Sequence, residues 1–301
     1  MTSVLYPGDR IAGRFLLQNE LGRGGHGVVF RALDTELNMP VAVKVLNGDI
    51  ADQDQYVLRL WREAQSLAAL WGTCVVQVHE FDTDERGFVY MVMELLEGEP
   101  LDVHLYDLEG FGDRMSPARV LSVLEPIAHA LGVAHSKGII HRDVKPPNIF
   151  LVDDHVGGGA RLMDFGLAKT PDFEEITDVG MIAGSPSYIA PEIWNSAPFD
   201  HRADIYSFGA VVFRALAGQP PFTAHSTLQL YELATKAPRP RLTEFRRELA
   251  PAVDRWVERA LAIDAQQRFA TMEALWIEFQ DALNQSDTPS LRHYRITQSR
   301  R

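Results

Sequence analysis

The chain of 301 residues contains a single cysteine, Cys74, so no intrachain disulfide can form and no cysteine cluster can hold zinc. It is short of positive charge: 29 Lys+Arg stand against 41 Asp+Glu, a formal net charge of -12. Binding along a nucleic-acid backbone requires basic stripes, so no nucleic-acid partner is expected. No run approaches the roughly 18 apolar residues of a membrane span, and the opening MTSVLYPGDR lacks the apolar core of a secretory signal. The expectation is therefore a chain without a membrane span, located in the cytoplasm. Internal repeats and low-complexity tracts are also missing. What is present is ordinary globular composition, 46% hydrophobic and 23% charged residues, with enough length for one large domain or two lobes.

From Phe15 to Glu94 the pattern is mainly that of strands. FLLQNEL runs into a glycine cluster, and GVVFRALD and PVAVKVL follow, rich in β-branched residues and separated by turn breakers. A helix is predicted over 53–70, where Leu60, Ala64, Leu67 and Ala68 recur at helical spacing. VVQVHEF and GFVYMVMEL then read as two further strands, with Cys74 expected to be a small buried hydrophobe beside Val75 and Val76. Beyond Gly98 the character changes. Ser116-Pro117 forms an N-cap and first-position pair, and Val120, Leu121, Leu124, Ile127, Ala128 and Leu131 supply an apolar face. Helices are predicted near 201–217, 226–234, 251–262 and 271–283. Strands with one helix, followed by many helices, read as two unequal lobes with a seam near Glu97-Gly98.

Four groups of residues carry chemistry. Gly22-Arg23-Gly24-Gly25-His26-Gly27 lies between two predicted strands, where glycines let backbone N–H groups approach a phosphate. Alone it reads equally well as a glycine-rich hairpin turn. Val41-Ala42-Val43-Lys44 places one lysine in an apolar strand, which demands a negative partner, and Glu63 on the following helix offers one. A purely structural ion pair is the alternative there. His141-Arg142-Asp143-Val144-Lys145-Pro146-Pro147-Asn148 packs a base, a lysine and an amide into one loop, and Asp164-Phe165-Gly166 follows 21 residues after Asp143. Asn148 and Asp164, brought together by a short hairpin, offer hard oxygen ligands to magnesium. Farther on come Ala190-Pro191-Glu192, Asp204-Ile205-Tyr206-Ser207-Phe208-Gly209 and Arg268.

In this order the motifs resemble those of the eukaryotic-like protein Ser/Thr kinases, and most closely the bacterial, Hanks-type members. The resemblance runs from about Phe15 to Leu283. Departures are small: Val144 stands for the commoner leucine, Val43 for isoleucine, and His26 occupies the loop tip. The resemblance implies an α+β, bilobal protein-kinase fold over residues 15–284. Its N-lobe, 15–96, would be a small antiparallel sheet plus one helix, and its C-lobe, 97–284, larger and mainly helical. Residues 1–14 would be a lead-in and 285–301 a flexible tail.

By the same resemblance the activity is phosphoryl transfer from Mg-ATP to Ser/Thr hydroxyls of protein substrates, with manganese as a possible substitute metal. Lys44 would hold the α- and β-phosphates, and Glu63 would hold Lys44. Asn148 and Asp164 would bind the metal ions, Asp143 would orient the substrate hydroxyl, and Lys145 would stabilise the γ-phosphate. Leu21, Gly22, Gly24, Gly27, Val29, Ala42, Met93 and Phe150 would line the nucleotide, with backbone groups of Glu94 and Leu96 on the adenine edge and Asp102 toward the ribose. Plain core packing would select the same apolar residues at several of these positions.

Arg142 and Lys169 would receive a phosphate from the activation segment. Thr177, seven residues before Gly184, is the expected site, modified in trans through self-association, while Ser185 is expected to be structural. Two alternatives differ in kind. A pseudokinase-like nucleotide-binding scaffold usually lacks one of Lys44, Asp143 or Asp164, all present here. A small-molecule phosphotransferase generally lacks the Ala190-Pro191-Glu192 segment. Arg268 is expected to pair with Glu192, and Trp194, Trp256 and Trp276 to pack helices of the second lobe.

Overall fold

A computed structural model of the chain describes residues 5–24, 27–46, 70–165 and 186–286. The chain divides into two units, Met1–Glu97 and Gly98–Arg301.

In the first unit, period-two alternation of apolar residues builds one six-stranded antiparallel sheet in the order β1-β2-β3-β4-β6-β5. The strands are β1 (Arg10–Ile11), β2 (Phe15–Gly24), β3 (Gly27–Asp34), β4 (Met39–Leu46), β5 (Val78–Thr83) and β6 (Val89–Glu94). Phe30 lies opposite Val43, and Val43 opposite Val92. With Val28, Ala32, Val41, Val45 and Tyr90 they form one apolar face, which packs with Ile11, Phe15 and Leu17 into a core. The intervening residues occupy the other face. There Val29 pairs with Lys44 and Lys44 with Met91, while Arg31 pairs with Ala42 and Ala42 with Met93.

Gly27 opens β3 with φ 149°, and a Cβ there would stand 2.1 Å from the Val45 carbonyl oxygen. Only glycine permits β3 and β4 to close at that end.

The second unit opens with β7 (Gly98–Pro100), which pairs with β8 (Ile149–Val152), itself paired with β9 (Ala160–Leu162). Its eight described helices are α1 (Leu101–Gly110), α2 (Pro117–Ser136), α3 (Pro191–Trp194), α4 (Arg202–Ala217), α5 (Thr227–Lys236), α6 (Leu242–Phe245), α7 (Ala252–Ala260) and α8 (Met272–Asn284). The Ser116 hydroxyl caps α2 by accepting the Arg119 N–H at 3.2 Å, with Pro117 in the first turn, as the sequence predicts.

Helix α4 is apolar nearly all round, and residues Ala203–Phe213 and Ala215–Ala217 are buried, so it runs through the centre of the unit. Gly209 lets α7 approach closely, since a Cβ there would meet that of Ala260 at 3.0 Å. Trp256 packs against Phe279 at 4.7 Å between ring centroids, and Trp276 against Phe279 at 5.4 Å. Trp194 joins Phe222, Leu230 and Ala234 in a smaller cluster. All three tryptophans thus pack helices as expected.

Two local expectations are corrected. The strand read from Val75 onward begins at Val78, because isolated side-chain and backbone bonds rather than a continuous ladder hold the approach to it. Thr73 Oγ1 donates to the Leu70 carbonyl at 2.7 Å, and Glu94 Oε1 accepts the Gln77 N–H at 2.9 Å. Cys74 accordingly sits in a bend and is half-buried, not within a strand. The helix expected over 53–70, with Glu63, falls almost wholly outside the described residues, as do Lys169, Thr177 and Ser185.

Candidate active site

The second unit gathers its polar residues on the loop between α2 and β8. Ile149 pairs with Leu162 in the β8–β9 hairpin, and the Met163 N–H donates to the Asn148 carbonyl at 2.8 Å. The hairpin thus draws Asn148 and Asp164 together across 16 residues of sequence.

Asp143 is held from two sides through one oxygen. Lys145 Nζ lies 2.8 Å from Asp143 Oδ2, and Asn148 Nδ2 donates to the same oxygen at 3.1 Å. Asn148 Nδ2 also donates to the Asp143 carbonyl at 2.7 Å. Among the described residues no donor engages Oδ1, and the Asp143 side chain is 29% exposed. The carboxylate is therefore fixed in orientation while one oxygen keeps its lone pairs for another hydrogen-bond donor.

The backbone of this loop is clamped from α4. Asp204, buried in the first turn of that helix, accepts the His141 N–H at Oδ2 and the Arg142 N–H at Oδ1, each at 2.8 Å. It also takes a hydrogen bond from His135 Nε2 at 2.8 Å. Burial pushes the Asp204 carboxyl up, but His135 and the His141 N–H outweigh it and hold the pKa below the ordinary carboxylate range. The helix N-terminus favours the same charge.

His141, fully buried, links the two halves of the loop. Its Nε2–H donates to the Met163 carbonyl at 3.0 Å, and its Nδ1 accepts the Asp143 N–H at 3.2 Å. The bond accepted at Nδ1 requires the neutral ring, and burial lowers its pKa despite the neighbouring carboxylates Asp204, Asp143 and Asp164. This framework over-determines two residues in the left-handed region, Arg142 at φ 68° and Asp164 at φ 46°. Such conformations cost about 1–3 kcal/mol for non-glycine residues and persist only where the surroundings impose them.

The chemistry of these donors suits a metal shared with phosphate. Among the described residues no group of three or more His, Cys, Asp or Glu could cage a metal alone. One carboxylate, Asp164, and one amide oxygen, freed because Asn148 uses Nδ2 on Asp143, match a hard cation that takes its remaining ligands from phosphate and water.

In the first unit, Val29, Ala42, Lys44 and Met93 share the sheet face opposite the core. An apolar floor carrying one ammonium fits a flat base with a phosphate tail. Gly22 and Gly24 lie in β2, where a Cβ would meet nothing within 4 Å, and Leu21 beside them is half exposed. Glu94 ends β6, with its N–H on the Gln77 carbonyl, and Leu96 follows in irregular chain. Phe150 lies on β8 of the second unit, half-buried.

Arg142 is exposed, its guanidinium 6.0 Å from the Phe199 ring centroid. Asp102 stands in the first turn of α1 with Oδ1 buried. Arg268 meets Glu192 through two bonds of 2.7 and 2.6 Å, the pair expected from sequence. The parts that sequence reasoning did not assign are His135 and the clamp role of Asp204. They lie 69 residues apart, and neither falls in a pattern that marks it as a partner of the other.

Comparison with known proteins agrees with this arrangement. The family model described as "Protein kinase domain" matches residues 15–279. The chain is 34% identical over 279 residues to the serine/threonine-protein kinase PknL of Mycobacterium tuberculosis, covering 93% of this chain and 68% of that protein. It is 34% identical over 266 residues to PknA of the same organism, spanning 59% of its length. Pkn2 of Myxococcus xanthus is 39% identical over 213 residues, a quarter (25%) of that protein. Among solved structures, the kinase domain of M. tuberculosis PknI superposes with a TM-score of 0.72 at 28% identity, covering 93% of this chain and 100% of that one. Protein kinases as a family use ATP and a divalent metal. The chain belongs to the protein kinase family, as a serine/threonine-protein kinase catalytic domain of the bacterial Hanks type.

Proposed function

We propose that this kinase domain transfers the γ-phosphoryl group of ATP, as its magnesium or manganese complex, to serine and threonine hydroxyls of protein substrates. The observation that carries the reading is the Asp143 carboxylate, tied through Oδ2 to Lys145 and Asn148 while no donor among the described residues engages Oδ1.

Asp143 Oδ1 accepts a hydrogen bond from the substrate hydroxyl and takes its proton as the new O–P bond forms and the bond to the ADP oxygen breaks. A loose transition state keeps that proton in place until late, so Asp143 acts chiefly by orientation. Lys145 offsets charge on the transferred group, and Lys44 binds the other phosphates. Asp164 and the Asn148 amide oxygen would hold the metal, Asp164 being the more critical because it alone carries charge. Bound Mg-ATP supplies the phosphoryl group and a cation that spreads the phosphate charge. Leu21, Gly22, Gly24, Gly27, Val29, Ala42, Met93, Phe150 and the backbone of Glu94 and Leu96 form the nucleotide-binding set, with Glu63 as the partner of Lys44.

Control is proposed to run through phosphorylation of Thr177 in trans by a second copy of the chain. The added phosphate would bring about two negative charges to Arg142 and Lys169, with Ser185 structural. Incubation with Mg-ATP followed by intact mass and phosphopeptide mapping tests both parts. Stepwise phosphate gain led by Thr177 is expected, with a roughly 10²–10⁴-fold loss of transfer in Asp143→Asn and in Lys44→Met. Both variants should melt normally, since each residue is partly solvent-exposed. Normal turnover in Asp143→Asn would sink the mechanism. An unmodified Thr177, with full activity in Thr177→Ala, would remove the switch alone.

A further inference from the structure

On the second unit, away from the residues already assigned, helices α2 and α8 pack antiparallel. Gly132 lies beside Met272, and Gln280 Nε2 donates to Glu125 Oε1 at 3.3 Å. A groove of about 680 Å³ runs along the pair. Its α2 side is a single helix face, on which Glu125, His129, Gly132 and Val133 recur at helical spacing. Its α8 side carries Glu273 and Ile277 one turn apart, both exposed, Ile277 by 49%. No lysine or arginine lines the groove, so the two carboxylates give it one sign of charge.

Gly132 keeps the middle of the groove open. Glycine is a poor helix former, and packing does not require it here. A Cβ at 132 would meet only the Met272 Cβ, at an ordinary 3.9 Å.

The chain itself leaves α8 at the Glu125 end of this groove. Ser286 fixes the point of exit, since its Oγ accepts the Ala250 N–H at 2.8 Å. At 1.5 Å per residue, Ile277 and Met272 lie only about 14 and 21 Å back along the helix axis. The sequence that follows, 287–301, lies outside the described residues, and its 15 residues can reach up to about 50 Å. Its charge is opposite to that of the groove. Arg292, Arg295, Arg300 and Arg301 stand against Asp287, in a chain whose net charge is -12. Leu291, Tyr294 and Ile296 are interleaved with the first two arginines. A second copy of the chain would bring the same net negative charge and no tether, whereas a short tether supplies a local concentration on the order of millimolar.

We propose that residues 287–301 fold back along the α2–α8 groove of the same chain. Leu291, Tyr294 and Ile296 meet its apolar wall, and Arg292 and Arg295 lie beside Glu125 and Glu273. The segment would brace α2, the helix that leads into the loop carrying Asp143.

Photocrosslinking in the full chain tests this, with Tyr294 replaced by p-benzoylphenylalanine and no nucleotide present. Irradiation at low protein concentration is followed by gel separation of monomer from dimer and by peptide mapping. The expected product is a monomer cross-linked from position 294 to α2 or α8 within 125–136 or 271–277. Glu273→Lys should lower its yield about two- to fivefold, the size of a surface ion pair. Exchanging Arg292 and Arg295 for glutamate in that variant should restore it, which separates pairing from local damage to α8. Gly132→Leu, which fills the groove, should lower the yield as well, with circular dichroism showing each variant folded. Cross-links mapped elsewhere, cross-links found only between two copies, or an undiminished yield in either Glu273→Lys or Gly132→Leu would each overturn the proposal. The readout involves no phosphoryl transfer, so this proposal and the kinase reading stand or fall separately.

Discussion

Replacing Asp204 by asparagine removes a charge and half of an acceptor without changing shape. The carboxylate now serves the N–H groups of His141 and Arg142 and the Nε2–H of His135, each at 2.8 Å. An amide has one acceptor oxygen. Placed at the Oδ2 position it still receives His141 and His135, but its NH2 then faces the Arg142 N–H, donor against donor. One hydrogen bond to a charged acceptor, about 1.5–3 kcal/mol, is lost, and two others fall to neutral strength. Relief of the buried charge offsets part of this, which leaves a net loss of about 3 kcal/mol. For a unit of this size that lowers the melting temperature by roughly 6–12 °C.

Activity should suffer more than stability. The Arg142 N–H bond holds that residue at φ 68°, and without it the backbone relaxes and carries the adjacent Asp143 with it. A displacement of about 1 Å at a reacting group costs roughly a hundredfold in rate. Circular dichroism melting, paired with initial phosphotransfer rates at a temperature where Asp204→Asn is still folded, measures both. A variant that loses activity only in proportion to its unfolded fraction would refute the idea that Asp204 positions the loop.

Gly27→Ala is expected to destabilise the first unit by more than about 2 kcal/mol, since the Cβ would stand 2.1 Å from the Val45 oxygen at a glycine-only φ; limited proteolysis of β3–β4 would register it. Arg268→Met should cost about 3–5 kcal/mol in denaturant melts by leaving the Glu192 carboxylate unpaired, and the double variant with Glu192→Leu should recover much of the loss. Burial depresses the His141 pKa below its ordinary 6.5, so the neutral ring contributes stability that is full above that value and lost as pH falls below it. The melting temperature should therefore decline on acidification from about pH 6.5, and His141→Phe should flatten that limb although it melts lower at neutral pH.

The fold class and the enzyme family were legible because strand alternation, helix caps and ordered motifs are local signals. Ser116-Pro117 starts α2 where the pair predicts, and the alternation in PVAVKVL puts Lys44 on the face away from Val43. What was not legible depends on encounters across long stretches of chain. His135 and Asp204 meet only because α2 packs on α4, and nothing near either residue announces it. The left-handed backbone of Arg142 and Asp164 was equally hidden, because arginine carries no preference for it and the clamp imposes it. Cys74 misled in the opposite way. Val75 and Val76 suggested a strand, but the Thr73 hydroxyl turned the chain first.

The sheet of the first unit has a consequence for how the lysine can be lost. Because side chains alternate, the side on which Lys44 emerges is a matter of parity, decided by Val41, Val43 and Val45, which point the other way. Deleting one residue of β4 ahead of Lys44 would swap odd for even and drive the ammonium into hydrocarbon. Deleting two would shorten the strand and leave Lys44 facing as before. The methyl groups of the opposite row, which touch no phosphate, thus act as the counting frame for the charge. Variants in that row would register in an activity screen as defects of the residues proposed to bind nucleotide.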